Sequence, residues 1–508
     1  MNSGNKIIFN TGVVYAQLII TAFITLFSVR FVLQALGEED YGIYMLVAGV
    51  VALLKVLSGS MSNTSMRYMS HSLGKNDLFT SLRTFNTTLF IHYCLAFAIF
   101  ILLEVGGWIM FEYFLNIPEE KVVAAKIVYQ FMIVTTIVTV VSVPFDAVIN
   151  SHENLLFLSV VTVLESVALL IIAILLLYYD GNRLIMYGLL LMLLNVVTRI
   201  VKQIYTRWNY PECRVNFRKY KDGVLMKSIL SFTGWDFLNS VAAMCSTQIR
   251  GILINMFFGV RLNAAEGIGK KINTQLNTVS TGITRAITPQ MNKREGGGNR
   301  ESMIHLMNTG VKYTTFMYCL FAVPLLLEVS YVLDVWLKVV PAYTVVFCQM
   351  CILLQMTDKF TWQIGNAIRA VGQIKGLQIS SSILAISGVI LGYFFFKMGA
   401  GPVSIYVIEL FICLLGAIVR FYYGKKIVGL QPFEFVKKTT IPVIIPILIA
   451  LICVIPIRFM MHESLLRFGF AFGTYIVVNA FVFWRFSMSE SEKGRFMEIA
   501  GKRLHRRK

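Results

Sequence analysis

LLFLSVVTVLESVALLIIAILLLYY, residues 155–179, decides the class of the fold. It exceeds the ~20 apolar residues that a helix needs to cross a bilayer. Its one charged side chain is Glu165. Working outward, comparable runs can be drawn at approximately 7–36, 41–70, 85–115, 124–149, 183–206, 228–258, 262–291, 303–328, 341–366, 374–398, 402–424, 439–457 and 464–484. With the opening stretch that makes about fourteen spans and an all-α polytopic membrane protein. The runs at 41–70 and 262–291 are too polar for lipid on every side, so one stripe of each must face a cavity or the bundle interior. The first run lacks a short apolar core and a small-residue cleavage site, and it reads as a retained helix.

Composition agrees. Of 508 residues, 56% are hydrophobic and only 14% charged, with a mean hydropathy of +0.69. A soluble domain carries about 25% charged residues. A soluble enzyme, a disordered scaffold and a disulfide-rich secreted module are excluded. The eight cysteines lie almost all inside apolar runs. Cys348 and Cys351 are close but sit on an apolar helix, which favours core packing over a metal site. No cofactor motif is present: the GIGKK stretch at 267–271 has Ala264 and Lys271 where a phosphate loop needs Gly and Ser or Thr.

A net charge of +19 would suggest nucleic acid in a soluble chain, but here the cations gather in alternate loops. Arg207, Arg214, Arg218, Lys219, Lys221 and Lys227 follow the sixth span, and the tail after Arg485 is strongly basic. GEED at 37–40 and NIPEEK at 116–121 lie opposite them. The positive-inside rule places both termini in the cytoplasm and excludes nucleic acid as a partner. No external loop has room for a folded domain of the ~50 residues one requires.

At an offset of 222 residues, Thr11-Gly12 falls on Thr233-Gly234, Gly37 on Gly259, Gly74 on Gly296 and Asn86-Thr87 on Asn308-Thr309. Six spans per unit restore the same orientation, so the halves are parallel repeats. The expected divisions are a six-helix lobe at 1–206, a basic linker at 207–227, a second lobe at 228–424, two further helices at 425–484 and a basic tail at 485–508. Twinned bundles with a path between them are typical of secondary transporters.

Polar faces mark the path. On the seventh span Asp236, Asn239, Ser240, Ala243, Ser246, Thr247 and Arg250 share a sector about 120° wide. Glu266, Lys270, Asn273, Asn277, Thr281, Thr284 and Thr288 do the same on the eighth, opposite Ile268, Ile272, Leu276, Val279 and Ile283. Lys55, Ser58, Gly59 and Ser62 form a third face. A mid-membrane charge costs about 2.5–3.5 kcal/mol and must meet water or a partner. Asp236 with Arg250, or Glu266 with Lys270, could simply join helices. Three long stripes favour a wet cavity, and its sign is positive: Lys55, Arg250, Lys270, Lys271, Lys312 and Arg30 outnumber Asp236 and Glu266, while Asp358 and Lys359 cancel. Arg30 lies more than ~100° from the stripe of its own helix, so it joins the lumen only if that helix bends. Such a cavity attracts an anion and repels cationic drugs.

With LGEEDYGIY at 36–44 and SGSMSNTSMRYMSHSLGK at 58–75, the chain resembles the polysaccharide transporter family, the Wzx-type flippases of the multidrug/oligosaccharidyl-lipid/polysaccharide superfamily. The likeness spans the chain and is strongest at 7–90, through Arg30, Gly37, Asp40-Tyr41-Gly42 and Arg67. It implies a V-shaped pair of lobes in a bacterial inner membrane. It also implies transfer of an undecaprenyl-pyrophosphate-linked oligosaccharide, a repeat unit of a surface polymer such as O-antigen or capsule, to the outer leaflet. Transfer would proceed without ATP, with H+ or Na+ as coupling ion and other polysaccharide-assembly proteins as partners. Arg250, Lys270, Lys55 and Arg30 are the expected pyrophosphate contacts, Asp236, Glu266 and Asp358 the acids for coupling or charge balance, and Asn239, Thr247, Asn273, Asn277 and Thr281 the lining. The rivals are a multidrug antiporter on the same fold, which should prefer an acidic lumen, and a membrane polymerase or ligase, which typically carries a large external loop.

Overall fold

The computed structural model describes residues 3–53, 55–113, 118–337, 340–490 and 492–494. The side chains of Arg30 and Lys55 lie outside the described set, as does the basic tail beyond Gly494. The described residues are almost entirely helical, with no strand among them. The long helices are α1 (Ser3–Leu53), α2 (Lys55–Gly74), α3 (Leu78–Tyr113), α4 (Glu119–Ser151), α5 (Leu155–Leu177), α6 (Arg183–Asn209) and α7 (Gly223–Phe258). After them come α8 (Val260–Gly296), α9 (Arg300–Leu337), α10 (Thr344–Val371), α11 (Lys375–Lys397), α12 (Ser404–Tyr423), α13 (Ile441–Met460) and α14 (Leu465–Val482).

Each expected span falls on these helices, the second divided between the end of α1 and α2. Ten of them, α3–α7, α9 and α11–α14, are long and apolar enough to cross a membrane among the described residues. The other four, α1, α2, α8 and α10, carry the expected first, second, eighth and tenth spans, and α2 and α8 are the most polar of the fourteen. The first two spans are nearly continuous in the backbone. They are broken at Gly37, whose φ of 75° and ψ of 175° leave the helical region at a residue without a Cβ. Gly259, its partner under the repeat offset, separates α7 from α8 with a φ of 83°.

Capping and proline set other local features. Asn154, Asn182 and Ser464 accept from the backbone N–H three residues on, at the starts of α5, α6 and α14. Pro324 removes one ladder bond from α9, and the helix kinks at Glu328 (φ −109°, ψ 15°). There the Glu328 carboxylate accepts from Arg467 Nη2 of α14 at 2.6 Å, so a buried acid in an apolar helix is matched by a buried base.

The described residues form two compact units. One comprises Asn10–Phe237 with Asn292–Gly298; the other comprises Leu238–Met291 and the described residues from Asn299 onward, with those before Asn10. In the first, Met69, Phe85, Leu89, Phe145 and Val148 pack into a core. In the second, Tyr318, Ile352, Ala450, Val454 and Tyr475 do so. Leu164, Ile171 and Leu175 of α5 are more than half exposed. On a helix this apolar, such a face suits lipid.

Candidate functional site

The single residue Gly259 joins α7 to α8, so the polar faces of the two helices begin beside one another. From α7, Arg250 donates through Nε to Glu266 Oε1 of α8 at 2.9 Å. Its Nη1 donates to Glu409 of α12, and its guanidinium lies 5.1 Å from the centre of the Tyr406 ring. Lys270 Nζ reaches the same Glu266 oxygen at 2.8 Å and the Thr247 carbonyl at 3.0 Å. The cluster therefore holds two cations and two carboxylates and is neutral as a unit.

This geometry corrects part of the expectation. Arg250 is buried and occupied by two acids, so it is not a free cation for a pyrophosphate. It does not pair with Asp236, from which about four helical turns separate it. Glu266 pairs with Lys270 one turn on, as the helix-joining alternative required. Glu409, the one acid of the apolar α12, is the second anchor of Arg250. An acid alone in an apolar helix signalled that a partner existed without saying which. Asp358 does not cancel Lys359 either: it accepts from Arg420 of α12 at 2.5 Å.

Other expected lining residues are engaged in packing. Asn273 accepts from Tyr318 of α9 at 3.1 Å. Asn277 accepts from Lys359 of α10, and Lys359 lies 5.7 Å from the centre of the Tyr318 ring. One turn further, Gln363 donates to Thr284 at 3.2 Å and accepts from Asn366 at 2.8 Å. Thr281 bonds back to the Asn277 carbonyl of its own helix. Thr247 is exposed, Asn239 is half-buried and Asp236 is buried in the other compact unit.

Two features remain open. A cleft of about 460 Å³ lies between α7 and α8, lined by Gln248, Ile252, Asn255, Glu266, Gly267 and Lys270. Lys270 keeps 28% of its side chain exposed there. Around α8 from the packed asparagines, Lys271, Thr274, Gln275 and Arg285 are exposed and recur at i, i+3, i+4 and i+14. Neither Lys271 nor Arg285 has an ion-pair partner among the described residues. Such a face cannot rest against hydrocarbon, so it meets water or a polar solute.

The family described as polysaccharide biosynthesis protein matches residues 4–281. No curated protein matches the chain. Among solved structures, MATE in the bent conformation aligns at a TM-score of 0.73 and 15% identity, over 87% of this chain and 98% of that one. An outward-facing multidrug resistance MATE family transporter of the MOP superfamily aligns at 0.70 and 14%, over 84% and 96%. A MOP superfamily transporter from Pyrococcus furiosus, reported with a binding pocket of reverse polarity, aligns at 0.68 and 15%, over 84% and 96%. At these identities the structures speak to fold alone. With the family match covering more than half of the sequence, the chain belongs to the polysaccharide biosynthesis protein family, and its many apolar helices share the fold of the MOP superfamily transporters.

Proposed function

We propose that the protein carries a pyrophosphate-linked oligosaccharide on an undecaprenyl lipid from the cytoplasmic to the outer leaflet, by alternating access and without ATP. The observation that carries this reading is the exposed face of α8. Lys271 and Arg285 bracket a run of hydroxyl and amide groups, and at 1.5 Å per residue they stand ~21 Å apart along the axis. Cations bind a pyrophosphate by charge-assisted hydrogen bonds, while Thr274 and Gln275 offer the neutral donors and acceptors that sugar hydroxyls need. Lys270, beside the cleft, is a third contact and exchanges Glu266 for the anion. Glu266 keeps Arg250 as its partner, loses one of its two cations in that exchange and becomes the acid for a coupling H+ or Na+.

The test uses a deletion strain and liposomes. A strain lacking the protein should accumulate lipid-linked oligosaccharide in the inner leaflet and lose the surface polymer. Purified protein in liposomes should flip a fluorescent undecaprenyl-pyrophosphate oligosaccharide. The paired change Lys271→Gln with Arg285→Gln should slow flipping about 10- to 100-fold, the equivalent of one to two charge-assisted contacts. Flipping at the wild-type rate would remove the α8 face from the path. A deletion with normal polymer and no lipid accumulation would remove the function.

A further inference from the structure

The connection between the sixth and seventh spans is not a free loop. Asn86-Thr87, one of the pairs that the repeat offset aligns, fixes it to the first turns of α3. Asn86 Oδ1 accepts from the Asn216 N–H at 2.7 Å, and its Nδ2 donates to the Arg214 carbonyl at 2.9 Å. Thr87 Oγ1 accepts from the Asp222 N–H at 3.1 Å, and Arg83 pairs with the Asp222 carboxylate. Upstream, Glu212 pairs with His152, whose ring stacks on Tyr210 with centres 4.1 Å apart. Cys213 is buried in the core beside Phe85 and Phe145. All of these residues belong to one compact unit.

These anchors set the height of the segment. The start of α3 reads SLRTFNTT at 81–88, and the LFIHYCLAFAIFILL that follows at 89–103 is almost wholly apolar. Tyr93 and Phe97 in that stretch are exposed, as a lipid-facing surface should be. Phe217 meets Phe90 and Tyr93 edge-on at 6.0 and 6.1 Å, and Lys221 Nζ lies 3.8 Å from the centre of the Phe90 ring. The segment therefore lies where polar helix gives way to apolar helix, at the level of lipid headgroups. The charge it presents there is of one sign. Arg207, Arg214, Arg218, Lys219, Lys221 and Lys227 are exposed, and none forms an ion pair among the described residues. Its two acids, Glu212 and Asp222, are the ones engaged by His152 and Arg83. Trp208, Val215 and Val224 stand exposed among the cations. Interfacial segments use this mixture, with apolar groups in the acyl boundary and cations at the phosphates. Topology alone requires that the charges be present. It does not require a buried asparagine and threonine to hold them at one level.

We propose that residues 207–227 form a platform that binds the phosphate headgroups of anionic phospholipids in the leaflet it faces. Charge complementarity selects the occupant, and the exposed apolar side chains have no use in holding a soluble anion. The test uses the full chain in nanodiscs of phosphatidylcholine, with an equal share of brominated phosphatidylglycerol or brominated phosphatidylcholine. Quenching of Trp208, taken as the part of the signal missing from Trp208→Phe, reports which lipid gathers at the platform. Phosphatidylglycerol should quench about fivefold more effectively or better, the equivalent of one cation held at a charged surface. Arg214→Gln, Arg218→Gln and Lys219→Gln together should bring the two lipids near equality, and the matching Arg214→Lys with Arg218→Lys should keep the preference. Asn86→Ala leaves all six cations in place but frees the segment, and should at least halve the preference. Thr87→Val, a milder loss of one anchor, decides that arm if Asn86→Ala does not fold. Equal quenching in wild type, or a preference that survives the three glutamines, would overturn the platform. A preference untouched by loss of the anchors would reduce it to loop charge, and the proposal would fail. Inorganic phosphate that abolishes the preference, where sodium chloride of the same ionic strength does not, would assign the cations to a soluble anion instead.

Discussion

Arg250 holds two acids from two other helices, and that decides what its loss should do. Removing one partner of a buried ion pair typically costs about 3–5 kcal/mol, because the charge left behind has no solvent. Arg250→Ala should therefore lower the unfolding temperature of the purified protein sharply, and Glu409→Gln added to it should restore part of the loss. An unchanged melting temperature would mean that the guanidinium is held for substrate after all. Lys270→Ala should differ in kind. Its side chain is partly exposed and Glu266 keeps Arg250 as a partner, so its loss should lower stability less than that of Arg250. Its effect should fall on substrate binding, measured by competition with inorganic pyrophosphate. The Lys270–Glu266 pair was legible in the sequence because one helical turn separates its members. Arg250–Glu409 was not, because α8 to α11 intervene and periodicity carries no information about which helices touch.

At the scale of one element, α8 shows what a periodic pattern can and cannot give. Its amphipathic sector was readable, and Ile268, Ile272 and Leu276 do pack against apolar clusters. The phase of the wet face was not. Asn273 and Asn277 meet Tyr318 and Lys359, and the exposed polar residues are Lys271, Thr274 and Gln275. The sequence offers two polar flanks, and only the polar residues of α10, in DKFTWQIGN at 358–366, determine which flank is covered. Cysteines at Lys271, Thr274 and Gln275 should accordingly react with a water-soluble maleimide, since the reactive thiolate needs water. Cysteines at Ser280 and Ile283, both buried, should stay unlabelled. Labelling of the buried pair alone would reverse the assignment of faces.

For the whole molecule, the all-helical membrane class was the most legible feature, because it follows from the length of apolar helix a bilayer imposes. The sidedness of the chain follows from its basic loops. Reporters fused after Lys221 or at Lys508 should be active only in cytoplasmic form, and reporters at Glu39 or Glu120 only outside; an external C-terminus would contradict the positive-inside assignment. The crossing of α8 from one compact unit to the other also has a consequence for biogenesis. The unit built on Asn10–Phe237 includes Asn292–Gly298, and so it is incomplete when Phe237 leaves the ribosome. At ~5–20 residues per second, synthesis takes roughly 3–12 s more to deliver the missing segment. During that interval the nascent half lacks the segment whose backbone closes on the end of α2.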